Sequence, residues 1–196
     1  TRENITFYNE QLHPFEKKYQ RIDWDATAAE KNGYPDFMLK EMYEQPSTVR
    51  ETIGTRVTAD APTQVDGLDF TAAQLQNLHQ IYIIGCGTAM HAGLAAKPMF
   101  EHLTHIPTQV DVASEFRYRD PLVDDRTLCI FISQSGETAD TIAALRLAKA
   151  AGATTLAVSN VIGSSITREA DYTVYTHAGP EIAVASTKAY TAQVVL

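Results

Sequence analysis

The chain has 196 residues, 44% of them hydrophobic and 20% charged, with a net charge of −8. A chain of this length buries roughly 70% of its unfolded surface, which suffices for one main domain and argues against disorder. The acidity is spread evenly with no basic cluster, no apolar run approaches the ~20 residues of a membrane span, and no signal-peptide pattern opens the chain, so nucleic acid and membranes are poor partners.

Neither Cys86 nor Cys129 has a CxxC partner. Structural zinc is therefore unsupported, and two isolated thiols suit a reducing cytosol. The chain opens on Thr1 rather than Met and closes in the apolar run Val194-Val195-Leu196 without a helix stop signal. It reads as a piece of a longer protein.

Taken in chain order, Ile5 to Tyr8 and Phe15 to Trp24 have the composition of short strands, with turns at Asp23-Trp24-Asp25 and Asn32-Gly33. Residues 1–33 read as a linker or the tail of an upstream domain. From Tyr34 the pattern turns helical, with Phe37, Leu39, Met42 and Tyr43 apolar and Pro35 in the first turn. Pro46 is expected to stop this helix or restart it, with Ser47 capping a second one that carries Val49 and Ile53. Thr71 can cap a short helix holding Leu75 and Leu78.

Short apolar runs then alternate with helical stretches. The expected strands are 81–84, 109–112, 128–132, 155–158 and 172–175. The expected helices are 88–103, with a kink or break at Pro98, 138–151, closed by Gly152, 164–169, and one beginning near Ser186. Continuous apolar strands alternating with helices predict an α/β fold: a doubly wound five-stranded parallel sheet flanked by helices, in the flavodoxin-like order 2-1-3-4-5. Ligands bind such sheets at the switch point, beyond the C-terminal ends of the first and third strands.

Two loops fall there. The third-strand loop, Ser133-Gln134-Ser135-Gly136-Glu137-Thr138, places three hydroxyls before a helix, where backbone N–H groups and the helix dipole also point. This combination suits a phosphate monoester without Lys or Mg²⁺. A hydroxyl-rich helix cap has the same composition. Glu137 and Asp140 must turn away from a phosphate and serve the helix dipole.

The first-strand loop, Gly85-Cys86-Gly87-Thr88-Ala89-Met90, begins like a dinucleotide fingerprint, and Asp111 can mimic its ribose-binding acid. Met90, however, stands where that fingerprint needs a small residue. Cys86 is either a reactive thiol or a small buried residue, and His91 reads as structural. The segment 113–119 suits either an interface or a short solvated helix. In 179–188, Ser186 or Thr187 can cap the last helix. Lys188 is a Schiff-base lysine, a solvated charge or a partner for Glu181.

These loops occur together and in this order in one family. Gly85-Cys86-Gly87-Thr88, Ala113 to Arg119, Ser133 to Asp140, Gly163-Ser164-Ser165 and Glu181 to Lys188 closely resemble the isomerase part of the glucosamine-6-phosphate synthases. These are glutamine:fructose-6-phosphate aminotransferases. The stretch from Tyr34 to Leu196 is similar to the first of that family's two sugar isomerase (SIS) domains, truncated at its C-terminal end. Residues 1–33 resemble the hinge after the glutaminase domain.

The resemblance implies a cytoplasmic, homodimeric transferase of amino-sugar biosynthesis. It takes ammonia from glutamine to fructose 6-phosphate and isomerises the product to glucosamine 6-phosphate. It also implies that Ser133, Gln134, Ser135 and Thr138 hold the sugar phosphate and that Gly87, Thr88 and Ala89 contact the sugar. Val184, Ala185 and Ser186 then border the pocket. It removes the NAD option and implies no cofactor. The isomerising Glu, His and Lys belong to the second SIS half and the tail, so no catalytic residue is assigned here, and Lys188 is not the Schiff-base lysine. The alternative is a standalone regulatory module that senses a sugar phosphate. Two positions depart from the family pattern. Ala89 replaces a usual Ser, which removes one hydroxyl contact worth ~1 kcal/mol. Ala183 replaces a usual Gly, which narrows the loop's conformations.

Overall fold

The computed structural model describes residues 5–16, 29–54, 56–57, 65 and 67–196. The strand expected over 15–24 and the turn at 23–25 lie largely outside these residues. A small hairpin, β1 (Phe7–Tyr8) with β2 (Pro14–Phe15), opens the described chain. Asn9 shapes its turn by accepting the N–H groups of Gln11 and His13. Asn32 and Gly33 form the expected turn, both at positive φ.

Helix α1 (Phe37–Ile53) follows, with Asp36 as N-cap accepting the Leu39 N–H at 2.8 Å. It differs from expectation in two ways. First, it runs unbroken through Pro46. The missing N–H leaves the Met42 carbonyl without its helical donor, and the side-chain amide of Gln45 donates to it at 3.1 Å. Ser47 caps nothing; its hydroxyl donates back to the Glu44 carbonyl at 2.7 Å. Second, the buried face of α1 is polar: Lys40, Glu41, Thr48 and Thr52 are buried, while Met38, Met42 and Tyr43 are exposed. The helix packs on polar partners near the C-terminus rather than on the sheet.

Helix α2 (Ala72–Asn77) starts with a capping box in which Thr71 and Gln74 exchange hydrogen bonds. Then come β3 (Gln80–Gly85), α3 (Thr88–Thr104), β4 (Thr108–Val112), α4 (Ala113–Tyr118) and β5 (Thr127–Ser133). They are followed by α5 (Ala139–Ala150), β6 (Thr154–Ser159), α6 (Ser165–Glu169), β7 (Tyr172–Tyr175) and α7 (Lys188–Val195). The sheet is wholly parallel, in the order β4-β3-β5-β6-β7. In chain order this is the expected 2-1-3-4-5.

Alternate residues of the central strands enter two cores. Tyr82, Ile84, Cys129, Phe131 and Ala157 face α4, α5 and α6. Ile81, Ile83, Leu128, Ile130, Ile132 and Val158 face α3 and the end of α7. Helix α3 also passes Pro98 unbroken. Lys97 ties this stretch to β4 through the Thr108 carbonyl at 2.5 Å and pairs with Glu101 at 3.1 Å.

The segment 113–119 is a short helix with a salt-bridged outer side. Arg117 meets Asp140 at 3.1 Å and Arg119 meets Asp111 at 2.6 Å. Phe116 is completely buried, edge-on to Tyr82 and Phe131. Phe116→Ala is expected to remove about 3–5 kcal/mol of stability, as for a well-packed aromatic. Urea unfolding followed by far-UV circular dichroism reads this loss.

Candidate functional site

The register of the sheet puts the two expected loops side by side, because Gly85 of β3 lies opposite Ile132 of β5. Strand β4 leaves β3 on the other side, so the chain reverses direction across the sheet between β3 and β5. A cleft of about 200 Å³ opens at that point. Thr88 and Ala89 line it from the first loop, and Ser133, Gln134, Ser135 and Thr138 from the second. Val184 and Ser186 line it from the segment before α7. Of the ten residues expected at the site, only Gly87 and Ala185 do not line it. Gly87 instead serves as the N-cap of α3 at φ +56°, and Ala185 is exposed.

The third-strand loop is built on hydroxyls. Ser133 is buried, and its Oγ accepts the Gly136 N–H at 3.0 Å and lies 3.1 Å from Thr138 Oγ1. Ser135 Oγ accepts the Glu137 N–H at 3.2 Å. Thr138 occupies the N-cap position of α5 but makes no side-chain cap bond. Its hydroxyl is turned to Ser133 instead. Only one proton bridges Ser133 and Thr138, so the second hydroxyl proton is left to donate elsewhere.

The two acids of this turn face away, as expected. Glu137 accepts the Ser165 N–H at 2.7 Å, and Asp140 meets Arg117. Hydrogen bonding from Ser165 holds the Glu137 carboxyl below its ordinary value.

Gly136 is a position that geometry reserves for glycine. Its φ is +67°, and a Cβ there would come within 2.0 Å of Ser164 Oγ. The 163–165 segment is thus the backing of the hydroxyl loop. Asn160, which the sequence did not single out, braces it further. Asn160 donates its N–H to the Gln134 carbonyl at 3.2 Å and its side-chain amide to the Gly179 carbonyl at 2.7 Å, and it accepts from Ala178 at 2.7 Å.

The segment before α7 departs from expectation. Thr187 is the N-cap residue, but neither its hydroxyl nor that of Ser186 caps the helix. The Glu181 carboxylate does this, accepting the Thr187 N–H at 2.9 Å, the Ala189 N–H at 3.2 Å and the Ser186 hydroxyl at 2.9 Å. Glu181 is therefore occupied, and Lys188 pairs elsewhere. Lys188 is buried against Glu44 of α1 at 2.7 Å, and Glu44 also meets Lys40 at 3.3 Å. Lys188 is neither a solvated charge nor a Glu181 partner, because α1 lies against α7.

Cys86, Glu181, Ala183 and Gln193 line the cleft as well. Cys86 is half-buried, 3.8 Å from Thr141 Oγ1. Burial pushes the Cys129 thiol up to about 12, so it stays protonated. Gln193 carried no motif signal; it reaches the cleft because α7 packs beside α3. Asp111 and His91 do not line the cleft, and Asp111 is engaged by Arg119. Among the described residues, Glu181 is the one charged group lining the cleft, no lysine or arginine lines it, and no cluster has a metal-binding set. Among the same residues, no helix is long and apolar enough to cross a membrane.

This is a doubly wound α/β domain with an anion-compatible cleft of hydroxyls and backbone amides at its switch point. The chain belongs to the SIS domain family, whose model matches residues 74–196. Over 195 residues it is 54% identical to a glutamine–fructose-6-phosphate aminotransferase [isomerizing] of Clostridium acetobutylicum, covering 100% of this chain and 32% of that protein. The enzyme of the same name from Thermus thermophilus is 49% identical over 195 residues, again covering 100% and 32%. The chain thus spans about a third of the length of the curated relatives it matches.

Among solved structures, it is similar to the C-terminal domain of the Francisella tularensis glucosamine-fructose-6-phosphate aminotransferase. The TM-score is 0.77 and the identity 45%, over 85% of this chain and 47% of that one. Tagatose-6-phosphate ketose/aldose isomerase of Escherichia coli shares the fold alone, at TM-score 0.64 and 16% identity, over 87% of this chain and 47% of that one.

Two predictions test the loop. Gly136→Ala is expected to destabilise the protein by more than ~1 kcal/mol, since it adds a positive-φ penalty to a clash with the Ser164 side chain; thermal melting measures it. The bond from Ser165 depresses the folded-state pKa of Glu137, so its stabilisation is complete above the ordinary value of 4.5 and fades as pH falls below that. Glu137→Gln should flatten the stability profile in that window, as read by urea unfolding at a series of pH values.

Proposed function

We propose that the chain is the sugar-phosphate-binding half of the isomerase portion of an enzyme that converts fructose 6-phosphate and glutamine to glucosamine 6-phosphate and glutamate. The observation that carries this reading is the Ser133–Thr138 hydroxyl pair, 3.1 Å apart, facing a cleft at the sheet's switch point. If those hydroxyls served only as a helix cap, Thr138 would bond the first turn of α5, and it does not.

A phosphate dianion in this cleft takes hydrogen bonds from neutral donors: the hydroxyls of Ser133, Ser135 and Thr138 and the amides of their loop. The sugar then lies toward Thr88 and Ala89 on one side and Val184, Ala185 and Ser186 on the other, with Gln134 beside the phosphate. The name shared by the relatives aligned along the whole chain supports an aminotransferase over a regulatory module.

The same reading includes several partners. Residues 1–33 are the hinge from a glutaminase domain, residues 34–196 are the first SIS domain, and a second SIS domain supplies the isomerising groups. The protein is a cytoplasmic homodimer that uses no cofactor at this site. No residue of this chain is catalytic in it.

Thr138→Val tests the reading. It keeps the shape and removes one hydroxyl bond to a charged group, worth ~1.5–3 kcal/mol. Affinity for glucosamine 6-phosphate should fall by roughly ten- to a hundredfold. Calorimetric titration with glucosamine 6-phosphate, with unphosphorylated glucosamine as the control, measures this. Equal binding by variant and parent, or equal binding of the two ligands, overturns the phosphate assignment.

A further inference from the structure

The segment from Thr176 to Thr187 forms one wall of the cleft, and no hydrophobic anchor holds its middle. Ile182 is about half exposed and Val184 fully exposed. Asn160 fastens its first residues, and Glu181 fastens its end to α7. Between these two points, at Ile182 and Ala183, the wall is held from behind by α1. Glu41 Oε1 accepts the Ile182 N–H at 2.6 Å and the Ala183 N–H at 3.1 Å. Ala183 itself lines the cleft, so this bond is made by the backbone of a cleft residue.

Glu41 is only 1% exposed. Its second oxygen, Oε2, is buried with no hydrogen-bond partner among the described residues. A carboxylate buried this deeply and only half satisfied costs stability. It is out of place in a helix meant only to fill space. Three residues on, Glu44 holds Lys188 at the start of α7. Helix α1 thus grips both the wall and the helix that follows it. Residues 37–53 lie outside the stretch matched by the SIS family model, so the shared domain fold does not account for this grip.

We propose that Glu41 is a positioning residue for the cleft: from outside it, its carboxylate fixes the backbone at Ile182 and Ala183 so that Ala183, Val184 and Ser186 stand ready beside a bound sugar phosphate. The inference rests on the phosphosugar reading given above. The reason is preorganisation. A wall already in place is not ordered at the expense of binding, whereas a wall in place about a tenth of the time weakens apparent affinity about tenfold. The phosphate cradle at 133–138 is tied to β5, α6 and Asn160, none of which Glu41 touches through the bonds described. Loss of Glu41 should therefore affect the sugar and leave the phosphate.

The test is calorimetric titration of the chain with glucosamine 6-phosphate and, separately, with inorganic phosphate. Glu41→Ala is expected to weaken glucosamine 6-phosphate about tenfold and leave inorganic phosphate unchanged. Glu41→Gln should keep near-parental affinity, because its amide oxygen still accepts from both N–H groups. Where the Ala variant fails to fold, Glu41→Asp takes its place. It keeps the charge, shortens the reach by one methylene, and should show the same selective loss.

Three results overturn the positioning role alone. They are parental affinity for glucosamine 6-phosphate in the Ala or Asp variant, equal weakening of both ligands, and a Gln variant as weak as the Ala variant. A parent chain that binds neither ligand overturns the phosphosugar reading and this inference with it.

Discussion

Every residue of β5 from Thr127 to Ser133 is buried, so this strand needs partners on both edges and helices on both faces. The rest of the domain follows from that need. The helices after β4, β5 and β6 cover one face, and α3 with the end of α7 covers the other. Strands β3 and β6 flank β5 in parallel, so their C-terminal loops emerge at the same end. The buried strand ends in Ser133, whose hydroxyl is the first of the cleft. The most apolar element of the chain therefore carries its most polar loop, and the rigidity of the one positions the other.

The cleft has an unusual division of labour. The groups facing inward are neutral apart from Glu181, whose oxygens are already taken up by α7 and Ser186. The charged groups do their work behind the surface. Glu137 braces α6, Glu181 caps α7, Glu41 holds the wall, and Glu44 secures Lys188. Glu137, Glu181 and Glu41 accept backbone N–H groups of the segments they brace, and Glu44 accepts from the buried Lys188. A binding surface of hydroxyls and amides on an acidic chain is consistent with this arrangement. The field of distant charges is screened, while short hydrogen bonds to a phosphate are not.

Gly136 and Asn160 show how closely the loops are coupled. Gly136 exists as glycine because Ser164 occupies the place of a side chain. Asn160 joins the loops after β5, β6 and β7: its backbone N–H bonds Gln134, and both ends of its side-chain amide bond 178–179. The cleft is therefore one fitted unit of three loops, and changes in 163–165 or 178–179 reach it without touching a ligand.

The alternation of strand and helix, the strand order and the two switch-point loops were all legible in the amino-acid sequence. These features rest on short-range periodicity and on connection rules, which a linear pattern carries. The turn at Asn32-Gly33, the Thr71 cap and the closing Gly152 were legible for the same reason. Pro46 misled, because a helix survives proline when a neighbouring side chain serves the freed carbonyl, as Gln45 does, and at Pro98 too the helix does not break. The apolar residues of α1 misled too. They marked the helix but not its buried face, which consists of Lys40, Glu41, Thr48 and Thr52. By itself, the sequence determined the doubly wound sheet and the hydroxyl loop. Only the tertiary structure decided that Lys188 answers Glu44, that Glu181 caps α7, and that Glu41 holds the cleft wall. Those partners lie up to 144 residues apart, and a buried charge finds its counterpart only where packing brings them together.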